Sequence, residues 1–409
     1  MRNNLNHQGG APALVDRKEE FSFGRIVRQL RSLISGSSFG GMLPVLISLV
    51  ILSIVFEMLN NKFLTATNLT NLMLQVSGTG TIAVGVVLVL LLGEIDLSVG
   101  ALSGTAGALL GVLYVNYDVN AVLAIVAVVI AALMWGVFQG LIVTFFRLPA
   151  FVVTLAALLA LQGIQNLLLG PTVTINFPYS GGVAKLASTF LSAEMGWTVA
   201  AVIVACIVTT QVLRAREHAE SGSVDLQRAF LRIAVTAAAT VAAVAIFNSD
   251  RGVPLVVLLF IGIVVVTDWV IRRTVYGRHV MAVGGDIEAA RRSGVAVQRV
   301  RISVFALGTG LASFGGILSA SRLIAATGSA GGGDVLINAI AAAVIGGTSL
   351  FGGRGTVYSA LLGILVIGGI SNGMDLLNLS AGVKFVVTGG VLMLAVITDA
   401  LARRGRASR

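Results

Sequence analysis

Long apolar runs with few or no charges alternate with polar interruptions along nearly the whole chain. Runs long enough to cross a bilayer, about 20 residues each, predict helices at roughly 42–58, 75–92, 98–115, 121–146, 150–169, 197–213, 231–248, 254–271, 302–326, 335–352, 355–372 and 383–400. The pattern is that of an all-α, polytopic integral membrane protein of about twelve transmembrane helices. One interruption stands out. Gly93-Glu94-Ile95-Asp96-Leu97-Ser98-Val99-Gly100 places two carboxylates between uncharged runs at Thr81 to Leu92 and Ala101 to Val115. Irregular backbone at membrane depth must face protein or a water-filled cavity, and acids there are functional candidates. Glu94, Asp96 and Ser98 are therefore candidate translocation-pathway residues. Asp96 or Ser98 equally suits a cap on the following helix. A second break, Gly328 to Asp334, leads into a run carrying Asn338, a fourth pathway candidate. Two breaks of opposite orientation are what an inverted repeat would produce.

Charge gives this pattern a direction. Only 11% of the 409 residues are charged, against about 25% in soluble domains. The net charge of +10 does not indicate nucleic acid, because the basic residues lie between apolar runs and at the tails. Arg147, Arg214, Arg216, Arg228, Arg232, the set from Arg272 to Arg301, Arg354 and Arg403 to Arg409 fall on one side. Lys62, Lys185 and Arg251 fall on the other, with Arg322 and Lys384 as further candidates for that side. The positive-inside rule then puts both termini in the cytoplasm, with a tail over 1–41, a transmembrane domain over 42–402 and a basic tail over 403–409. The tail lacks the early apolar stretch of a cleaved secretory signal.

Candidate chemistry is sparse. Cys206 lies within an apolar run, and His7, His218 and His279 are scattered, so neither a metal site nor a cofactor is expected. No nucleophile stands with a base, which leaves an intramembrane enzyme without machinery. The glycine-rich turn from Ile345 to Gly355 lacks the lysine followed by Ser or Thr that a nucleotide loop needs. Gln139, Gln162, Gln165, Asn166 and Asn338 can each bond a sugar hydroxyl or another helix. Of the longer connections, 170–196 is rich in turn residues and 214–232 mixes charges like a linker. The 272–301 connection holds a short helix from Asp286 to Ser293, capped by Asp286 and bounded by glycines, which suits a protein partner or anionic membrane lipid.

Several of these stretches together resemble one family. Glu94-Ile95-Asp96-Leu97-Ser98-Val99-Gly100, Leu148 to Leu155, Gly284 to Gly294 and Ala339 to Gly355 are similar to motifs of permease subunits of bacterial ABC sugar importers of the ribose and xylose group. The likeness covers most of 40–405. It implies a permease in the bacterial inner membrane, working as a homodimer with a cytoplasmic ABC ATPase subunit and an extracytoplasmic sugar-binding protein. The cargo it implies is a small neutral sugar, with D-xylose the first expectation and another pentose, a hexose or a nucleoside as alternatives. A proton-coupled secondary transporter using Glu94 and Asp96 is the rival scheme. By the same resemblance Gly284, Gly285, Asp286, Ala289, Ala290, Arg291, Ser293 and Gly294 match the element that docks into the ATPase. Departures from the family pattern are Asp286 for Asn, Ala150 for Ser, and Leu336-Ile337-Asn338 where many members have Glu-Leu-Asp.

Overall fold

A computed structural model describes residues 43–219 and 226–407. The expected tail over 1–41, the middle of the 214–232 linker and the last two residues lie outside the described residues. The helices are α1 (Leu43–Leu59), α2 (Ala66–Leu91), α3 (Val99–Gly111), α4 (Ala121–Phe145), α5 (Ala150–Leu169), α6 (Gly182–Ser188), α7 (Ala193–Ala219) and α8 (Leu226–Asn248). They continue with α9 (Leu255–Arg273), α10 (Val275–Gly285), α11 (Ile287–Arg292), α12 (Val297–Leu323), α13 (Gly333–Ile345), α14 (Tyr358–Leu376) and α15 (Ala381–Ala407). Each of the twelve expected runs falls on one of these helices. Among the described residues, eight helices are long and apolar enough to cross a membrane, and the apolar parts of α1, α8, α13 and α15 are shorter.

The helix limits have local causes. Helix α2 begins nine residues before its apolar run, because the Thr65 side chain caps the Asn68 N–H and the first turns carry Asn68 and Asn71. Helix α13 stops at Ile345, well short of the expected 352, where Gly346-Gly347 turns the chain. At 1.5 Å per residue its 13 residues span only about 20 Å, against a hydrocarbon core of about 30 Å. Helix α3 runs on through a π-turn at Val112–Asn116.

Helix α12 is the mast of the fold and packs against α2, α3 and α4. A Cβ on Gly85 would sit 2.6 Å from the Gly308 carbonyl, so α2 and α12 cross with backbone against backbone. Around this centre α3 packs on α5, α13 on α14 and α15, α1 on α14, and α7 on α8. The main core joins α2, α3, α9, α12, α13 and α14 through Val87, Leu90, Phe260, Phe305 and Ile364.

Two small antiparallel ladders depart from an all-helical expectation. β1 (Thr174–Asn176) pairs with β4 (Ala325–Thr327), and β2 (Phe190–Leu191) with β3 (Val253–Pro254). The 170–196 connection is thereby fastened to the segment that leads into the second break. At the same end, Arg251 donates to Asn71 Oδ1 at 2.6 Å and to Asp250, which also accepts from Thr67. These bonds tie the α8–α9 turn to the start of α2.

Candidate functional site

The first break begins where α2 ends. Gly93, at φ 77°, takes the left-handed conformation, and its N–H reaches the Leu90 carbonyl at 2.9 Å while that of Glu94 reaches the Val89 carbonyl at 3.3 Å. This is a Schellman stop, and only glycine adopts that φ without strain. Glu94 then pairs with Arg301 of α12, both side chains being mostly buried. Asp96 is 4% exposed. Its Oδ1 accepts from the Ser98 N–H at 2.8 Å and the Ser98 hydroxyl at 2.6 Å, and its Oδ2 is buried with no hydrogen-bond partner. Gln139 of α4, itself buried, donates to Ser98 Oγ at 2.9 Å. Thr154 of α5 accepts from the Leu97 N–H at 3.1 Å. Ser98 occupies the N-cap position of α3 but makes no side-chain cap bond. The capping expectation is therefore corrected: Asp96 closes a turn onto Ser98, and the free N–H groups of α3 are not its partners.

The second break is held by a second glutamine. Gln165 Nε2 donates to the Thr327 carbonyl at 2.9 Å, which also accepts from the Ala330 N–H at 3.1 Å, and to the Ala330 carbonyl at 3.0 Å, tying α5 to the break. Gly331, at φ 71°, lies on α3, where a Cβ would come within 2.1 Å of the Gly100 carbonyl. The two breaks therefore meet across the first turns of α3. Beyond Gly331, Asn338 does not join the Glu94, Asp96 and Ser98 group. It lines a separate cavity of about 390 Å³ with Asp334, Ser371, Lys384, Phe385 and Thr388. Gln162 and Asn166 lie on the outer face of α5, exposed.

The 284–294 element closes against the first break. Asp286 accepts from the Ala289 N–H at 2.9 Å and so caps α11, as the sequence predicts. Gly285, Asp286, Ala289, Arg291, Ser293 and Gly294 are exposed together, whereas Ala290 is buried and Gly284 faces inward. A Cβ on Gly284 would meet the Leu91 carbonyl at 1.8 Å, and the same carbonyl accepts from the Gly353 N–H at 2.9 Å. Three glycine-bearing stretches, 91–94, 284–285 and 352–353, thus share one junction. Sequence reasoning found each stretch but not their meeting. Helix α10, which it missed, is fixed to α12 by a 3.0 Å hydrogen bond between the Tyr276 and Ser303 hydroxyls. Burial pushes the Tyr276 phenol up, opposed by the Ser303 bond, so the proton needed there is retained.

Residues 68–396 match the family described as the permease component of branched-chain amino acid transport systems, a span holding both breaks and the 284–294 element. The xylose transport system permease protein XylH of Haemophilus influenzae is 34% identical over 87% of this chain and 94% of its own length. XylH of Escherichia coli K12 is 35% identical over 84% of this chain and 88% of its own. The ribose import permease protein RbsC of the same strain is 32% identical over 87% and 92%. No solved structure matches. The chain belongs to the family of branched-chain amino acid transport system permease components.

Proposed function

We propose that this chain is the membrane-spanning permease subunit of an ABC importer that carries a small neutral sugar, D-xylose before other pentoses, inward through the bacterial inner membrane. What carries the reading is the likeness to xylose and ribose permeases along 84–87% of the chain. Twelve helices cross the bilayer with both termini in the cytoplasm, since the basic connections alternate with the apolar runs. The cytoplasmic tails are 1–41 and 403–409, flanking a transmembrane domain over 42–402. A cytoplasmic ATPase seats on the exposed face of 284–294, a sugar-binding protein delivers cargo from outside, and a second permease copy completes the pathway.

The groove beside Asn338 is the best place for the sugar. Its roughly 390 Å³ exceeds the approximately 30 Å³ share of one water many times over. Asn338, Ser371 and Thr388 both donate and accept, and Phe385 offers an apolar face to ring C–H groups. Polar groups on helices this apolar are costly to show to lipid, which favours their facing a pathway or a partner. Glu94, Asp96 and Ser98 border that pathway as the shaped break rather than as open ligands. Their engagement also weighs against proton-coupled transport, because Glu94 is already paired with Arg301.

The test is reconstitution. Permease, ATPase and binding protein together in liposomes are expected to accumulate labelled D-xylose only with ATP. Permease alone is expected to accumulate none. Uptake driven by a proton gradient without ATP would overturn the reading, and preference for a charged cargo would overturn the sugar assignment.

A further inference from the structure

We infer that the Glu94–Arg301 ion pair is the mechanical link through which movement of the ATPase-docking element reaches both breaks, and that Arg301 is a positioning residue for transport. The inference rests on the docking role proposed above for 284–294. Arg301 stands in the second turn of α12, which follows the docking helix α11 after a short connection through Gly294 and Val295. Glu94 stands immediately after the Gly93 stop of α2. The pair therefore bridges the stem of the docking element and the break.

Three observations make it more than a local tie. The two side chains are only 20% and 15% exposed, so water and salt screen the pair weakly. Arg301 Nε is buried with no hydrogen-bond partner, which leaves the guanidinium held on the side of Glu94. The contacts on either side are themselves close. The docking side meets Leu91 through Gly284 and Gly353, and beyond the break α3 meets Gly331 through Gly100. A displacement of α11 is passed by Arg301 to Glu94, from the break to the first turns of α3, and from Gly100 to Gly331 just before Asp334 and Asn338. Neither residue touches the Asn338 cavity, so their effect on sugar movement passes through this chain of contacts.

The experiment uses the full complex of permease, ATPase and binding protein in liposomes, and reads sugar transported per ATP hydrolysed together with co-purification of the ATPase. Glu94→Gln and Arg301→Gln are each expected to keep the ATPase bound while sugar per ATP falls about tenfold or more, the scale of an ordinary coupling free energy. The exchanged pair, Glu94→Arg with Arg301→Glu, is expected to recover much of that loss, which a generic packing defect would not. Arg301→Lys retains the charge but not the planar fork and is expected to keep the ATPase bound while sugar per ATP falls measurably below wild type, so the proposal stays testable if the neutral variants fail to reach the membrane. Wild-type sugar per ATP in both neutral variants would overturn the link. So would an exchanged pair, present at wild-type levels, that transports no better than the single variants. Gly285→Trp tests the docking reading separately, because its side chain would project from the exposed face. If it retains ATPase and uptake, the docking reading fails irrespective of the Glu94–Arg301 result.

Discussion

Asp96 is a buried carboxyl group held by hydrogen bonds within its own turn. One of its oxygens takes two bonds from Ser98, and Gln139 extends the network into α4. Removing this acceptor leaves the buried Ser98 N–H without a partner, which costs about 1–3 kcal/mol, so Asp96→Ala is expected to destabilise the permease by that amount and lower its thermal midpoint in detergent. Asp96→Asn keeps an acceptor for the Ser98 N–H and is expected to lose less than half as much. Gln139→Met removes a donor but also a buried Oε1 that has no partner, so its cost is expected to stay below about 1 kcal/mol. An Asn variant as unstable as Ala would mean that the charge, not the turn, is what the site requires. The sequence showed Asp96, Ser98, Gln139 and Gln165 as polar residues in apolar surroundings. It could not show that each glutamine secures one of the two breaks, because those bonds join residues 41 or more positions apart.

Among the elements, the helices were legible and the junctions were not. Apolar runs mark α4, α5 and α9 almost to the residue, since bilayer helices must satisfy their own backbone and cover it with hydrocarbon. Short strands such as β1 and β4 left no trace, because three residues carry no alternation to read. The junction of 91–94 with 284–285 and 352–353 was equally hidden, since glycine pairs record close approach only once the partner is known. That junction yields a sharp comparison. A Cβ on Gly284 would stand 1.8 Å from the Leu91 carbonyl, while one on Gly285 meets nothing within 4 Å. Gly284→Ala is expected to cost about 1–3 kcal/mol through forced displacement and to reduce uptake. Gly285→Ala should match wild type in both stability and uptake. Equal behaviour of the two alanines would show that the docking element does not seat on α2.

For the whole molecule, the contacts separate two ends of the helix bundle that differ in charge. Leu91, Glu94, Gly284, Arg301 and Gly353 meet at one end of the helix bundle. Most of the arginines of the 272–301 connection and Arg354 belong to the chain around that end. The opposite end carries the β1–β4 ladder, the Arg251–Asn71 clasp and Lys185. An excess of Lys and Arg marks the cytoplasmic side, so the orientation proposed above puts the junction inward and the ladders outward. Cysteine labelling can read this directly, because Cys206 is the sole natural thiol and is exposed. In a Cys206→Ala background, Ser180→Cys, in the exposed turn before α6, is expected to react with a membrane-impermeant maleimide on intact cells. Ala289→Cys, on the exposed face of α11, is expected to react only in inside-out vesicles. The two sites need no assumption about cargo, and together they test the number of crossings as well as the sense. Between Ser180 and Ala289 the apolar helices are α7, α8 and α9, an odd number, so the two thiols must lie on opposite sides. Labelling of both from the same side would remove one of those crossings, most directly the shorter apolar stretch of α8, and with it the even count that holds both termini in the cytoplasm. Reversed labelling would instead keep the count and turn the molecule over, placing the docking element outside, where no ATPase could reach it.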